Sequence, residues 1–452
     1  MYTPEEFSKI VMTQALSRGF LDAEIFFEAG AATEISVLNG EISMYESSSM
    51  QGVSFRGRFN DQMGYAYAEE LTDDAMAFLL DQAMQNCMVL ESEDMETVYE
   101  GDPSYEEFSS FADSLTELSF EELSSMVLTL EKRVLAYDPR IVAVDHCAVS
   151  LGSSEHRIWN SRGLRLSYKS NLIVLYAVAR CEEKEVTKTG SAYRAVRDLA
   201  NLDIEELAQE VATNALDKLG ASSISSGTMN VVLDREAAAD LLSTFDGIFS
   251  ADMVQKGFSL LSGKIGERIA SDVVTLRDDV RVDGSIGGIP FDSEGVATKN
   301  KVLVENGILI GFLHNRKTAA KDNHESTGNG FRSGFKGSIG VGTTNFYLVP
   351  GDRSLNDLLA QAGSGVYIKE LSGLHAGTNV VSGDFSLSCE GFVINNGQIG
   401  RPVDQITIAE NFFALLGKIR AVGSDPYFQI PSVSGATGCP SLLLENIAIS
   451  GE

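Results

Sequence analysis

Positive charge is scarce in this chain: 35 lysines and arginines stand against 64 aspartates and glutamates, a net charge of −29 over 452 residues. Such a field repels phosphate backbones and anionic bilayers, so direct contact with nucleic acid or a membrane surface is not expected. Long apolar runs are missing as well. No uncharged apolar stretch reaches the roughly 18 residues that a membrane-spanning helix needs. The opening MYTPEEFSKIVMTQ has acids early and no apolar core, so it reads as a helix start and not as a secretory signal. Cysteine is sparse and odd in number: Cys87, Cys147, Cys181, Cys389 and Cys439 lie far apart with no C-x-x-C pair. That pattern excludes a disulfide framework or zinc finger and points to reduced thiols in the cytoplasm.

Several catalytic signatures are also absent. There is no phosphate-binding Walker loop, no G-x-G-x-x-G after a strand and no G-x-S-x-G nucleophile elbow. The glycine cluster at 328–334 has the wrong spacing for a dinucleotide and reads as a loop between strands. His-Glu occurs once, at His324 and Glu325, with no second His one turn later. His314 and His324, with Asp322 and Glu325, read as a solvated turn in preference to a metal site.

What is present is an alternation of helices and hairpins. Thr3, Pro4 and Glu6 form a capping box, and Ser119 with Glu122 forms another; Thr72 caps a helix between them. A further helix is expected over 204–219. Strand patterns occupy 24–27, 33–38, 41–45, 52–59 and 63–68, then 141–151, 157–160, 164–168 and 172–180. Residues 91–107 are rich in acids and read as a solvated connection. After the Ser-rich stretch 221–227, glycine and Asn-Gly hairpin signals become frequent, and helices are expected only at 235–249, 354–362 and 409–422. The expectation is an α+β chain of two domains, 1–220 and 228–452, joined by a 221–227 linker, each with a mainly antiparallel sheet and packed helices.

The richest segment is 373–400, GLHAGTNVVSGDFSLSCEGFVINNGQIG. Its glycines allow close approach to a ligand, and His375, Asn379, Ser382 and Asp384 are the polar candidates. Cys389 alternates with Phe385 and Leu387 and reads as a core thiol.

Together with LSGKIGE at 261–267, PFDSEG at 290–295, LVENGILIGF at 303–312, STGN at 326–329 and PSLLLENIAISG at 440–451, this segment resembles the TldD/PmbA family, once described as modulators of DNA gyrase. The resemblance implies a two-domain α+β fold, dimerisation, and a cytosolic zinc peptidase built from two related subunits. In that picture the TldD-like subunit carries an H-E-x-x-x-H helix and a downstream Cys, whereas the PmbA (TldE)-like subunit lacks them. Counting back from 261–263 places the motif on LSTFDG at 242–247, so its ligands and base become Leu242, Ser243 and Gly247. No Cys falls at 423–430.

The chain is therefore expected to be a non-catalytic, PmbA-like subunit, with zinc held only by its TldD-like partner. Unfolded peptide would bind in a groove or cavity, for which His375, Asn379, Ser382, Asp384 and Asp252 are candidates. A stand-alone peptide-binding homodimer is the alternative. A third reading is a metal-independent hydrolase around His375, Asp384 and Asp252.

Overall fold

The computed structural model describes residues 2–91, 96–431 and 435–452; residues 92–95 of the acidic connection thus lie outside it. Local capping chemistry starts the helices of the first half. The Thr3 hydroxyl accepts from the Glu6 N–H while the Glu6 carboxylate accepts from the Thr3 N–H, opening α1 (Pro4–Ser17). Thr72 caps α2 (Asp73–Val89). A one-turn α3 (Asp113–Thr116) precedes α4 (Phe120–Tyr137), which opens on the Ser119–Glu122 capping box. Asp203 caps α5 (Ile204–Leu216), which ends three residues short of the expected 219.

These helices cover one face of a six-stranded antiparallel sheet. Its strands are β1 (Asp22–Leu38), β2 (Glu41–Phe59), β3 (Gln62–Ala68), β4 (Ile141–Asn160), β5 (Arg165–Glu183) and β6 (Val186–Val196), in the order β3-β2-β1-β4-β5-β6. The segments expected as separate short strands are thus fused into strands of 17 to 20 residues. The reason is visible in β1. Ala23, Ile25 and Phe27 pack under α1 and α2, and Ile35 and Val37 pack under α4. Residues 28–34 between them carry no helix, so their side chains need no apolar alternation, yet β2 and β4 pair with them throughout.

In the second half, β7 (Gly227–Leu233) runs parallel to Gly365–Ser372 and antiparallel to Leu442–Ser450. Asp384–Asn395 and Gln398–Asn411 extend this sheet, and pairing of 407–409 with 448–450 closes it on itself. A second six-stranded sheet contains Leu276–Asp279, Lys301–Glu305, Asn345–Leu348 and Ala436–Cys439. Between the sheets lies α6 (Arg235–Thr244), burying Ala237, Ala238, Leu241 and Leu242 against Val231, Leu276, Phe346 and Ile368. The chain is α+β with mainly antiparallel sheets, and two pairings in this half are parallel.

Two helix expectations are corrected here. The 235–249 stretch breaks into α6 and a 3-10 turn at Asp246–Phe249. Only Phe412–Lys418 of 409–422 is helical; Asn411 caps it, and strands flank it because Ile406 and Ile408 alternate with period two.

The close fit of helix to sheet depends on missing side chains at two places. A Cβ on Gly64 would sit 1.9 Å from the Ala83 carbonyl oxygen of α2, and one on Gly190 would sit 2.1 Å from the Ala215 nitrogen of α5. Gly190→Ala must push α5 off the sheet and should cost about 1–3 kcal/mol in urea denaturation. Gly152→Ala, with open space around its Cβ, should stay within about 0.5 kcal/mol of the unmodified chain. Equal effects of the two would disprove the close-approach account.

Candidate functional site

Three elements converge on the outward face of α6: β6, α5 and the short strand Tyr427–Phe428. Positions 236, 240 and 243 follow one another at helical spacing along this face, and Gly247 lies beyond the helix end in the 3-10 turn. Leu242 points the other way. It is 4% exposed and belongs to the apolar core, whereas Ser243 and Gly247 are partly exposed and a Cβ on Gly247 would meet nothing. A zinc site of the kind the resemblance implies needs imidazole or carboxylate ligands at these positions. Leu242 and Gly247 offer no ligand atom, and among the described residues no group of three or more His, Cys, Asp or Glu side chains could hold a metal ion. The donor set does not fit the metal.

The face is nevertheless polar and acidic. Glu236 is pushed up to about 7, first by burial and then by Asp234 on its own turn and Glu210 of α5. Asp240 accepts a 2.6 Å hydrogen bond from the Gln429 side-chain nitrogen, and burial raises it as well. Above them Tyr193 of β6 and Tyr427 share a hydrogen bond through their phenol oxygens. At the far end Asp246 is pushed up to about 6 by burial; the Gly247 N–H works against the rise, and the nearby Asp278 adds to it. Two carboxyls near neutral pKa would suit acid–base work. Glu236 opens α6 and Asp246 follows its end at Thr244, with roughly 12 Å of helix rise between, so they do not serve one scissile bond together.

The sequence-based groove candidates divide into two places. Asn379, Ser382 and Asp384 come together in one turn. Asn379 Oδ1 accepts from the N–H groups of Val381 and Ser382, both at 3.1 Å. Asp384 accepts from the Asn411 side chain at 2.9 Å and from the Ser382 hydroxyl at 2.9 Å, which hold its carboxyl below the usual range. His375 is exposed on the same loop. Asp252 lies elsewhere, on the short helix Ala251–Gln255, paired with Lys256 at 2.7 Å on the wall of a cavity of about 590 Å³. That cavity lies between the halves, and its lining includes Arg56 and Tyr65 from the first and Glu294 and Arg332 from the second.

His314 corrects the expectation of a solvated turn. It is 6% exposed, its ring centroid lies 5.8 Å from that of His324, and burial lowers its pKa. Sequence reasoning also passed over Glu236, Asp246 and the inward-facing arginines. PFDSEG at 290–295 carries part of the resemblance, but nothing local marks Glu294 as a partner of Arg56 in the first half.

A helix-covered antiparallel sheet joined to a closed sheet with a buried helix defines a two-part α+β protein. The PmbA/TldA metallopeptidase models match it in three pieces: domain 1 over residues 23–87, the central domain over 113–219 and the C-terminal domain over 226–451. The chain belongs to the PmbA/TldD family. A crystal structure from Thermotoga maritima, described as a candidate modulator of a DNA gyrase, superposes with a TM-score of 0.91 at 32% identity, covering 99% of this chain and 100% of that one. TldE from Thermococcus kodakarensis superposes with a TM-score of 0.90 at 26% identity, covering 98% and 100%. A metalloprotease of Methanothermobacter thermautotrophicus is 35% identical over 257 residues, so the alignment spans just over half of either chain, 55% of this one and 56% of the relative.

Glu236 generates a pH test. Its carboxyl rises from an ordinary value of 4.5 to about 7 on folding, so the folded state keeps a proton that the unfolded chain gives up. Its contribution to stability is fully present below about 4.5 and is lost as pH rises through about 7. Glu236→Gln should match the unmodified chain at pH 4 and exceed it at pH 8 by on the order of 2 kcal/mol. A pH-independent difference in denaturation midpoints would show that folding leaves the carboxyl's pKa unchanged.

Proposed function

We propose that this chain is a PmbA/TldE-like subunit with no metal site of its own, working in the cytoplasm beside a zinc-bearing, TldD-like subunit on unfolded peptides. The observation that carries this reading is Leu242. At the position of the first motif histidine it is a core residue, 4% exposed among Leu241, Phe245 and Phe346. Restoring a ligand there would require opening the core as well as changing the side chain. Ser243 and Gly247 leave the base and the second imidazole unreplaced. The partner's zinc would supply an activated water; this chain's own contribution would be binding surface.

A place for extended peptide supports the reading. β3 pairs with β2 only over 53–59, so residues 41–52 of β2 keep an outer edge that no strand among the described residues covers. A cavity of about 560 Å³ lies beside that edge, lined by Ser49, Met50 and Gln51 and by the 333–336 turn. Main-chain pairing along such an edge binds peptides with little sequence preference. The same edge, with Ile42, Met44 and Met50 exposed, would serve a peptide-binding homodimer, which is the second reading.

Mixing the purified chain with the TldD-like protein of the same genome should give a mixed complex that cleaves casein. Neither protein alone should match it, and a zinc chelator should abolish the activity. No complex and no gain in cleavage would sink the subunit reading. Peptide affinity without turnover, unaffected by the partner, would establish the homodimer instead.

A further inference from the structure

Arg197, just beyond β6, contrasts with the paired arginines Arg56 and Arg162. Arg56 faces Glu24 and Glu294, and Arg162 faces Asp22 and Glu100. Arg197 is part-buried, its Nε donates to the Asn171 carbonyl at 3.2 Å, and no carboxylate among the described residues pairs with it. Acids outnumber bases 64 to 35 in this chain, so an inward arginine left without one is informative. Withdrawing a charge from water costs several kcal/mol, in rough terms, unless a counter-charge repays it.

The surroundings show where that counter-charge would enter. Arg197 lines a cavity of about 240 Å³ bounded by β1, β4 and β5 on one side and the 286–289 loop on the other. The Ser154 and Ser170 hydroxyls stand 2.8 Å apart on its wall, and the Tyr168 phenol donates to the Gly288 carbonyl at 3.0 Å. One acid, Glu28, shares the lining, and its oxygens are engaged. One lies 3.5 Å from His156 Nε2, and the other accepts the Phe335 N–H at 2.7 Å. Arg197 therefore remains the guanidinium of the lining with no carboxylate partner among the described residues. The volume decides the shape of the guest. At about 240 Å³ it falls below the roughly 300–1,000 Å³ of sites that enclose a whole drug-sized ligand, so it suits the end of a chain and not its middle.

We propose that this cavity captures the C-terminal carboxylate of a peptide, anchored by the Arg197 guanidinium and flanked by the hydroxyls of Ser154 and Ser170. The planar guanidinium matches a carboxylate through two parallel N–H bonds. This assignment rests on the peptide-handling reading above and adds to it which part of the peptide is held.

The test is fluorescence anisotropy on the full chain with one N-terminally labelled tetra-alanine peptide in two forms, free acid and C-terminal amide. The acid should bind about ten-fold more tightly, as one charge-assisted pair warrants. Arg197→Gln should erase that preference, and its melting temperature should stay level or rise because an unpaired cation is removed. Arg197→Lys, which keeps the charge and loses the fork, should retain part of the preference. Equal binding of acid and amide, binding of neither, or an acid preference surviving in Arg197→Gln overturns the proposal. A fall in melting temperature with the preference intact would make Arg197 a structural tie to Asn171. An amidated peptide with one internal glutamate that binds as well as the free acid would assign the site to acidic side chains and overturn the terminal assignment. Complex formation with the TldD-like protein does not need Arg197, so the subunit reading is judged separately.

Discussion

Arg56 of β2 reaches Glu24 on the neighbouring strand with Nε at 2.7 Å from Oε1, and Glu294 of the second half with Nη1 at 3.7 Å, all three side chains being at most 7% exposed. Burial alone would lower its pKa, yet Glu24 and Glu294 hold it above the usual arginine value. Arg332 lies 4.5 Å over the Phe26 ring and donates to the Ser54 hydroxyl at 2.7 Å; burial and then Arg56 lower its pKa. Asp292 is raised by burial and by Glu294. Buried charges of this kind are repaid only when every partner is in place, and removing one costs about 3–5 kcal/mol. The 290–295 loop and the 332–335 turn must therefore dock on the first sheet together or not at all. Phe26, Ile158, Leu164, Phe291 and Phe335 pack as one apolar cluster in the same interface. The water they exclude would otherwise screen these charges.

The cavities follow from that docking. Charged and aromatic contacts fix the second half at the middle of the first sheet, where strands of 17 to 20 residues outrun the helices beneath them. The loops that dock are short, so space remains around the contact. The cavity of about 590 Å³ opens beside Arg56 and Arg332, and the one of about 240 Å³ opens beside Glu28. The Phe335 N–H bond to Glu28 and the Tyr65 hydroxyl bond to the Phe335 carbonyl hold the same turn from β1 and β3. The turn thus separates the spaces on either side of it.

Local chemistry was the legible part of the fold. The caps at Thr3, Thr72, Ser119 and Ser354 are each set by residues within three positions, and each opens a helix where the sequence places one. The strand lengths were not legible. EAGAATE at 28–34 carries no period-two pattern, and it is extended because β2 and β4 flank it. The helix expected over 409–422 failed for a related reason, since apolar residues that continue a strand look like one stripe of a helix. At 242 and 247, the lack of a metal-binding side chain is plain from the sequence, since Leu and Gly carry no ligand atom. The paired charges Arg56–Glu294 and the unpaired Arg197 could not be read there, because both depend on which segments meet across the interface.

The residues of α6 are divided between core packing and contacts across the join of the halves. α6 keeps its apolar stripe, with Leu241 and Leu242 in the core, so its place between the two sheets does not depend on a bound ion. Its outward face keeps polar groups, but they are spent on protein contacts. Asp240 is held by Gln429, Asp234 by the Tyr367 hydroxyl, and Glu236 sits beside the hydrogen-bonded Tyr193 and Tyr427. Tyr193 belongs to the first half and Tyr427 to the second, so this face lies where the halves join. A helix built to present ligands must leave its polar face open to substrate and water. Here most of that face is closed by tyrosine and glutamine, and the opening that remains is at Gly247, where there is no side chain. That arrangement suits a helix that braces the join between the two halves.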